Sequence, residues 1–324
     1  MNNNDIIIQV EDLHTSFFTR MGEFKAVDGI SFYVRAGETF GIVGESGCGK
    51  SVTASSLMRL LPEPAGQIIG GKAILEGVDL FKLSKKEMRH YRGRMISMIL
   101  QDPMSSLNPV YTIGNQLAES VKMYQGLADN MVDAEVIESL RLLKIPAPEV
   151  RMREYPFQMS GGMRQRVVGA IAMSCHPHVL IADEPTTALD ATIQAQYLSL
   201  FDDIQVKTNV ALIFITHDFG VIARICDRVG VMYAGKFVEQ ARTRDIFKAP
   251  KHPYTSALIR SVPQLDRKDE RLFSIDGQPP SLLRLPPGCR FAPRCSQAMD
   301  ICKQQEPPEV KLTEDHSVSC WRVK

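Results

Sequence analysis

At 324 residues the chain is longer than a single hydrophobic core usually organises, and it reads as one large domain with a smaller part attached. Hydrophobic residues make up 44% and charged residues 23%, so a sizeable core can form and broad disorder is excluded. Lys and Arg number 38 against 37 Asp and Glu, a net charge of +1, which gives no global field for nucleic acid and disfavours a basic-groove binder.

The first residues, Met1 to Val10, carry no basic residue and lack the charged-then-apolar layout of a secretory signal. The longest apolar runs, Val179 to Ala182 and Val210 to Ile215, fall far short of the ~20 residues a membrane-spanning helix needs. The expected location is therefore cytoplasmic. Alternation at Ile6, Ile8 and Val10, at Ile30, Phe32 and Val34, and at Ala73 and Leu75 predicts half-buried antiparallel strands. Thr39 to Val43 predicts an apolar strand that runs into a Gly-rich loop and a helix from about Lys50 to Leu60. Residues 113–155 turn helical, with breaks at Pro146, Pro148 and Pro156, as an inserted helical lobe would. Apolar strands follow at Val179 to Ala182, Val210 to Ile215 and Val229 to Tyr233, so a buried, mainly parallel sheet is expected. Beyond about Pro250 come Pro pairs and four of the seven cysteines, Cys289, Cys295, Cys302 and Cys320, which predict a small loop-rich appendage. In a reducing compartment the cluster suggests a metal centre rather than disulfides.

Five segments carry chemistry. Gly44 to Ser51, GESGCGKS, matches G-x-x-x-x-G-K-[ST], in which glycines let consecutive N–H groups face phosphates, Lys50 reaches the β- and γ-phosphates and Ser51 reaches Mg²⁺. The bland alternative is a Gly-rich turn capping a helix, weakened here by the strand that precedes it. Val179 to Glu184, VLIADE, ends a strand in two carboxylates: Asp183 can hold Mg²⁺ and Glu184 can polarise the attacking water. Without the phosphate loop these would be ordinary solvated acids. Gln101 and His217 each follow a predicted strand, on the edge where open α/β sheets bind ligands, and can contact Mg²⁺ or water and the γ-phosphate. In Met159 to Arg166, MSGGMRQR, Ser160 and two glycines open an apolar-periodic helix whose N–H groups form a second phosphate site, unless the segment is a capped helix and nothing more.

The phosphate loop, Gln101, the SGG segment, the Asp183-Glu184 pair, TALD at Thr187 to Asp190 and His217, in this order over about residues 5–250, resemble the ABC ATPase family. The resemblance implies an α/β P-loop NTPase core of ABC type with an antiparallel β lobe and a helical lobe at about 104–176. It also implies that two such domains, spanning 1–250 here, pair head to tail around ATP and Mg²⁺. Gly44, Ser46, Gly47, Cys48, Gly49, Lys50, Ser51, Val52, Gln101, Asp183, Glu184 and His217 would then serve the nucleotide of their own subunit. Ser160, Gly161 and Gly162 would serve the partner's, with Asp190 linking the two sites. Phe17 lies where the family stacks a ring on adenine, with Phe24 as the alternative. Met159 and Met163 depart from the commoner form of the SGG segment.

HPYTSALI at His252 to Ile259, the Pro-rich stretch and the cysteines resemble the extension, here 251–324, of dipeptide/oligopeptide importer ATPases. That implies a second ATPase subunit, identical or not, two membrane permease subunits and an extracytoplasmic substrate-binding protein, with the chain peripheral on the inner face of the membrane. Nickel importers share the pattern. The four cysteines, spaced C-x5-C-x6-C-x17-C, suit a [4Fe–4S] cluster or zinc; some members of the subgroup carry such a cluster, which favours iron–sulfur. The competing function is a soluble ABC-type ATPase acting on nucleic acid or ribosomes, opposed by the near-zero net charge, the single ATPase unit and the lack of a long heptad insertion.

Overall fold

The structure, a computed structural model, describes residues 5–102, 106–187, 189–262 and 273–323. The chain forms two compact units: Met1–Ile8, Tyr33–Glu38 and Ile74–Ile215 make the first, and Gln9–Phe32, Thr39–Ala73 and Thr216–Lys324 the second.

In chain order, β1 (Ile6–Thr19) and β2 (Gly22–Arg35) are long strands joined through residues 20 and 21. Their buried positions include Ile8, Val10, Leu13, Ile30, Phe32 and Val34, as period-two alternation dictates for sheets wet on one side. β3 (Thr39–Val43) is buried at all five residues and leads through the glycine loop to α1 (Lys50–Leu57). This helix stops at Leu57 rather than near Leu60, because Arg59 turns to a φ of 50°. Next come β4 (Gly66–Leu75), β5 (Val78–Asp79), α2 (Lys85–Tyr91) and β6 (Ile96–Ile99). Among the described residues α3 (Ile113–Gln125), α4 (Asp129–Leu142), α5 (Pro148–Arg151) and α6 (Gly161–Met173) follow. Further along the described residues come β7 (Val179–Asp183), α7 (Ala191–Thr208), β8 (Ala211–Thr216), α8 (Phe219–Ile225), β9 (Arg228–Tyr233), β10 (Lys236–Arg242), α9 (Thr243–Lys248), α10 (Pro253–Ser261), α11 (Asp300–Gln304), β11 (Glu309–Thr313) and β12 (His316–Ser319).

In the first unit β6, β7 and β8 run parallel, with Ile96 opposite Val179, Ile99 opposite Ala182 and Asp183 opposite Ile215. β7 and β8 are buried at every position, the continuous apolar run expected of a strand covered on both faces. α3 and α4 each bury a stripe spaced four residues apart, Ile113-Leu117-Val121 and Val132-Val136-Leu140, and both pack with α6. Each such side chain contributes about 1.5–3 kcal/mol on burial.

The second unit pairs β3 with β9 in parallel, and β9 with β10 as a hairpin closed by Ala234 (φ 45°) and Gly235 (φ 88°), the twist-matched two-residue turn. Phe40 stacks on Phe32 at 5.0 Å, and Phe237 meets both rings edge-on. The Pro- and Cys-rich extension holds two strands that composition did not reveal. β12 adds antiparallel to β10, with Glu239 opposite Val318, and β11 pairs with β12. Tyr254 of α10 and Phe291 pack on Tyr233 at 4.6 and 5.3 Å, so the extension shares a core with the sheet.

Candidate nucleotide site

The phosphate loop leaves the C-terminal end of β3 and closes on the first turn of α1, and its glycines are there for steric reasons. A Cβ on Gly44 would lie 2.1 Å from the carbonyl oxygen of Met232, and one on Gly49 would lie 2.3 Å from that of Ala26. Gly47 and Gly49 have φ of 76° and 112°. The curled loop wraps Lys50, which is 4% exposed and donates through Nζ to the carbonyls of Gly44 (2.8 Å) and Glu45 (3.0 Å). Those bonds use two of the ammonium's three donors and fix its direction. Cys48, beside it, has its thiol pushed up by burial, with Lys50 opposing. Ser51 and Val52 open α1, so the amides and dipole of the helix start face the loop. Phe17, half-buried on β1, lies with its ring against Gly66. His217 is exposed immediately after β8, and Asp218 behind it caps α8 through Gly220 N at 2.7 Å. All these residues belong to the second unit.

Gln101, Asp183, Glu184, Ser160, Gly161, Gly162 and Asp190 belong to the first. Asp183 ends β7 and is 4% exposed. Glu184 stands next in a left-handed conformation, φ 46°, uncommon for a residue with a side chain, and its N–H donates to the carbonyl of Ile215 at 2.9 Å. Gln101 Nε2 reaches Glu184 Oε2 at 3.4 Å and Thr187 Oγ1 donates to the same oxygen at 3.1 Å, so the structure brings Gln101 and Glu184 together. Ser160 caps α6, accepting from Met163 N at 3.4 Å. Asp190 caps α7, accepting from the N–H groups of Thr192 and Ile193 at 3.0 Å each. The two helix starts are neighbours, since a Cβ on Gly162 would come 3.0 Å from Ile193.

Ser51 in the second unit carries a hydroxyl, and Gln101 and Asp183 in the first carry an amide and a carboxylate; each is an oxygen donor of the kind that suits Mg²⁺. The four extension cysteines line one small pocket with Phe291, Trp321 and Arg322. Burial pushes the Cys289, Cys295 and Cys320 thiols up, and neighbouring cysteines add to the rise. Soft sulfur donors on a common wall suit a thiolate-held metal in kind. Among the described residues, however, no three His, Cys, Asp or Glu side chains are arranged to hold a metal ion.

Sequence reasoning missed two contacts. Glu45, a variable position of the loop, accepts a bidentate pair of bonds from Arg294 in the extension, and its N–H donates to the Tyr254 hydroxyl. These partners lie more than 200 positions away, so no local pattern announces them; the only hint was HPYTSALI, which contains Tyr254.

A glycine loop closed on a buried lysine at a helix start, in a chain whose parallel strands include one ended by an Asp-Glu pair, makes the protein a P-loop ATPase. The ABC transporter family matches residues 27–187, and the C-terminal region of oligopeptide/dipeptide transporters matches residues 238–302. The dipeptide transport ATP-binding protein DppD of Bacillus subtilis is 51% identical, covering 97% of this chain and 94% of its own length. The oligopeptide transport ATP-binding protein OppD of Salmonella typhimurium is 47% identical, covering 94% and 90%. The solved dimer of the ATP-binding cassette MJ0796 with ADP and Pi is similar in fold alone, at a TM-score of 0.65 and 21% identity over 73% of this chain and 99% of its own. The chain belongs to the ABC transporter family of ATP-binding proteins.

Proposed function

We propose that this chain hydrolyses ATP to drive uptake of dipeptides or oligopeptides, docked from the cytoplasm on a membrane permease of two subunits fed by an extracytoplasmic binding protein. The observation that carries the ATP chemistry is the loop Gly44 to Ser51 closed around Lys50. The peptide cargo is supported by the match of residues 238–302 and by the names of the relatives. The division into a nucleotide-binding domain, 1–250, and an extension, 251–324, belongs to the same proposal.

In this reading Lys50 and the amides from Gly44 to Val52 bind the phosphates and Phe17 stacks on adenine. Ser51, Gln101 and Asp183 would hold Mg²⁺, which would supply positive charge to offset that of the phosphates. Glu184, oriented by Thr187 and Gln101, accepts a proton from the attacking water, and His217 donates to the γ-phosphate. Ser160, Gly161 and Gly162 present the start of α6 to the nucleotide of a second ATPase subunit, and Asp190 links the two sites. For Cys289, Cys295, Cys302 and Cys320 we propose a structural [4Fe–4S] cluster, with zinc as the alternative; the shared pocket and its apolar walls support it. Iron analysis of anaerobically purified chain decides: several irons per chain support the cluster, and one zinc reverses it.

The test of function uses the membrane assembly that co-purifies with the full chain. Its ATP turnover should rise when binding protein loaded with a dipeptide or oligopeptide is added, and the Glu184→Gln assembly should lose that turnover by about 10²-fold or more. Stimulation by nickel and not by peptide would overturn the cargo; co-purification with nucleic acid in place of membrane proteins would overturn the transport reading.

A further inference from the structure

Glu45 is held from outside the loop it belongs to. Arg294 donates from Nη1 to Glu45 Oε2 at 2.6 Å and from Nη2 to Oε1 at 2.9 Å, the parallel two-bond geometry of a strong guanidinium–carboxylate pair. The other three donors of Arg294 are also satisfied: Nε by the carbonyl of Asp276 at 3.0 Å, Nη1 by the Tyr233 hydroxyl and Nη2 by the carbonyl of Ile275, both at 3.4 Å. All five guanidinium N–H groups therefore have acceptors, in a side chain only 4% exposed. The Glu45 backbone is held as well: its N–H donates to the Tyr254 hydroxyl at 3.1 Å and its carbonyl accepts from Lys50. Tyr254 is fully buried against Tyr233 and Phe291. Arg294 and Phe291 both lie in the short segment between Cys289 and Cys295.

A phosphate loop attracts its ligand with N–H groups and one ammonium, and a carboxylate among them works against that attraction. Glu45 is such a carboxylate, 26% exposed and two residues before Gly47. Left unpaired it would repel a nucleoside triphosphate and be free to turn toward Lys50. We infer that Arg294 is a positioning residue of the nucleotide site, which neutralises and orients Glu45 so that the cysteine-rich extension sets the affinity of the phosphate loop. A lysine could supply the charge but not the fork that fixes both carboxylate oxygens while bonding Asp276 and Ile275.

The inference rests on the phosphate loop being the nucleotide site, and the experiment separates the two. Binding of Mg-ATP to the full chain is measured by calorimetry, with melting curves, for wild type, Lys50→Ala, Arg294→Ala, Glu45→Gln and the Glu45→Gln/Arg294→Ala pair. Arg294→Ala should weaken binding at least tenfold, and adding Glu45→Gln should bring it back to within about threefold of wild type, because the uncompensated charge is gone. A residue that only anchored the extension would give a loss that Glu45→Gln does not repair, and that result overturns the inference, as does unchanged affinity in Arg294→Ala. If Arg294→Ala does not fold, Arg294→Lys takes its place, with a smaller loss that Glu45→Gln must again reverse. Unchanged affinity in Lys50→Ala would instead remove the loop itself as the nucleotide site.

Discussion

Two glycine-bearing segments differ in why they carry glycine. In the phosphate loop the fold itself forbids a side chain: backbone oxygens stand 2.1 and 2.3 Å from where Cβ atoms of Gly44 and Gly49 would be. At the start of α6, a Cβ on Gly161 would meet nothing within 4 Å, and its backbone is not in the left-handed region. Nothing among the described residues requires glycine at 161, and the proposed pairing with a second subunit's nucleotide would supply a reason from outside the chain. Gly44 and Gly49 are thus required by the fold and Gly161 is not, while its neighbour Gly162 is crowded by Ile193, 3.0 Å from where its Cβ would be.

The largest expected effect tests the first half of that contrast. Gly49→Ala puts a methyl against the Ala26 carbonyl at a φ of 112°, so the loop must open. Mg-ATP affinity should fall a hundredfold or more and the melting temperature should drop with it. Affinity lost without any change in melting would blur the distinction. Gly161→Ala tests the other half: ATP turnover of the assembly should fall about tenfold through the entry of a methyl into the proposed contact, while the melting temperature stays within about 1 °C of wild type. Gly is the poorer helix former by about 1 kcal/mol, so any stability change should favour the variant. A destabilised Gly161→Ala would show that the fold needs this glycine after all.

A smaller effect concerns the extension. His252, 1% exposed, caps α10 by accepting from Tyr254 N at 3.1 Å, and burial pulls its pKa down to about 3 from 6.5. The unfolded chain takes up this proton below about pH 6.5 and the folded chain resists until about pH 3. The contribution is therefore complete above pH 6.5 and is lost as pH falls through that window, with a slope of up to about 1.4 kcal/mol per pH unit from this one site. Denaturant titrations between pH 7 and 5 should show the decline, and His252→Asn, which keeps a capping acceptor, should reduce its slope. The smallest effect concerns a helix cap outside both glycine segments. Thr112 caps α3 by accepting from Asn115 N at 3.3 Å, and Thr112→Ala should cost about 1 kcal/mol in a denaturant midpoint with Mg-ATP affinity unchanged.

Much of this molecule was legible in the sequence because its determinants are local. The apolar run Val179 to Ala182 forms a strand buried on both sides, and Ser160 before two glycines marks the start of α6 to the residue. The phosphate loop needed only its own eight letters and the strand before them. What escaped reading was long-range. β11 and β12 hide in a Pro-rich stretch with few apolar residues, because their partner is β10 and their hydrogen bonds, not their composition, make them strands. The Arg294–Glu45 pair joins positions 249 apart, a contact that only the folded chain can create.

The chain has a single tryptophan, Trp321, and it lines the pocket of the four cysteine sulfurs, its indole N–H held by the Gln305 carbonyl at 3.0 Å. Thiols, and any metal they hold, quench indole emission on close approach. The ultraviolet fluorescence of the whole protein, excited at the red edge where tyrosine is silent, is therefore a native, label-free gauge of that pocket. If the proposed cluster forms there, its loading or stripping, like oxidation of the thiols, should change the light before any activity is assayed.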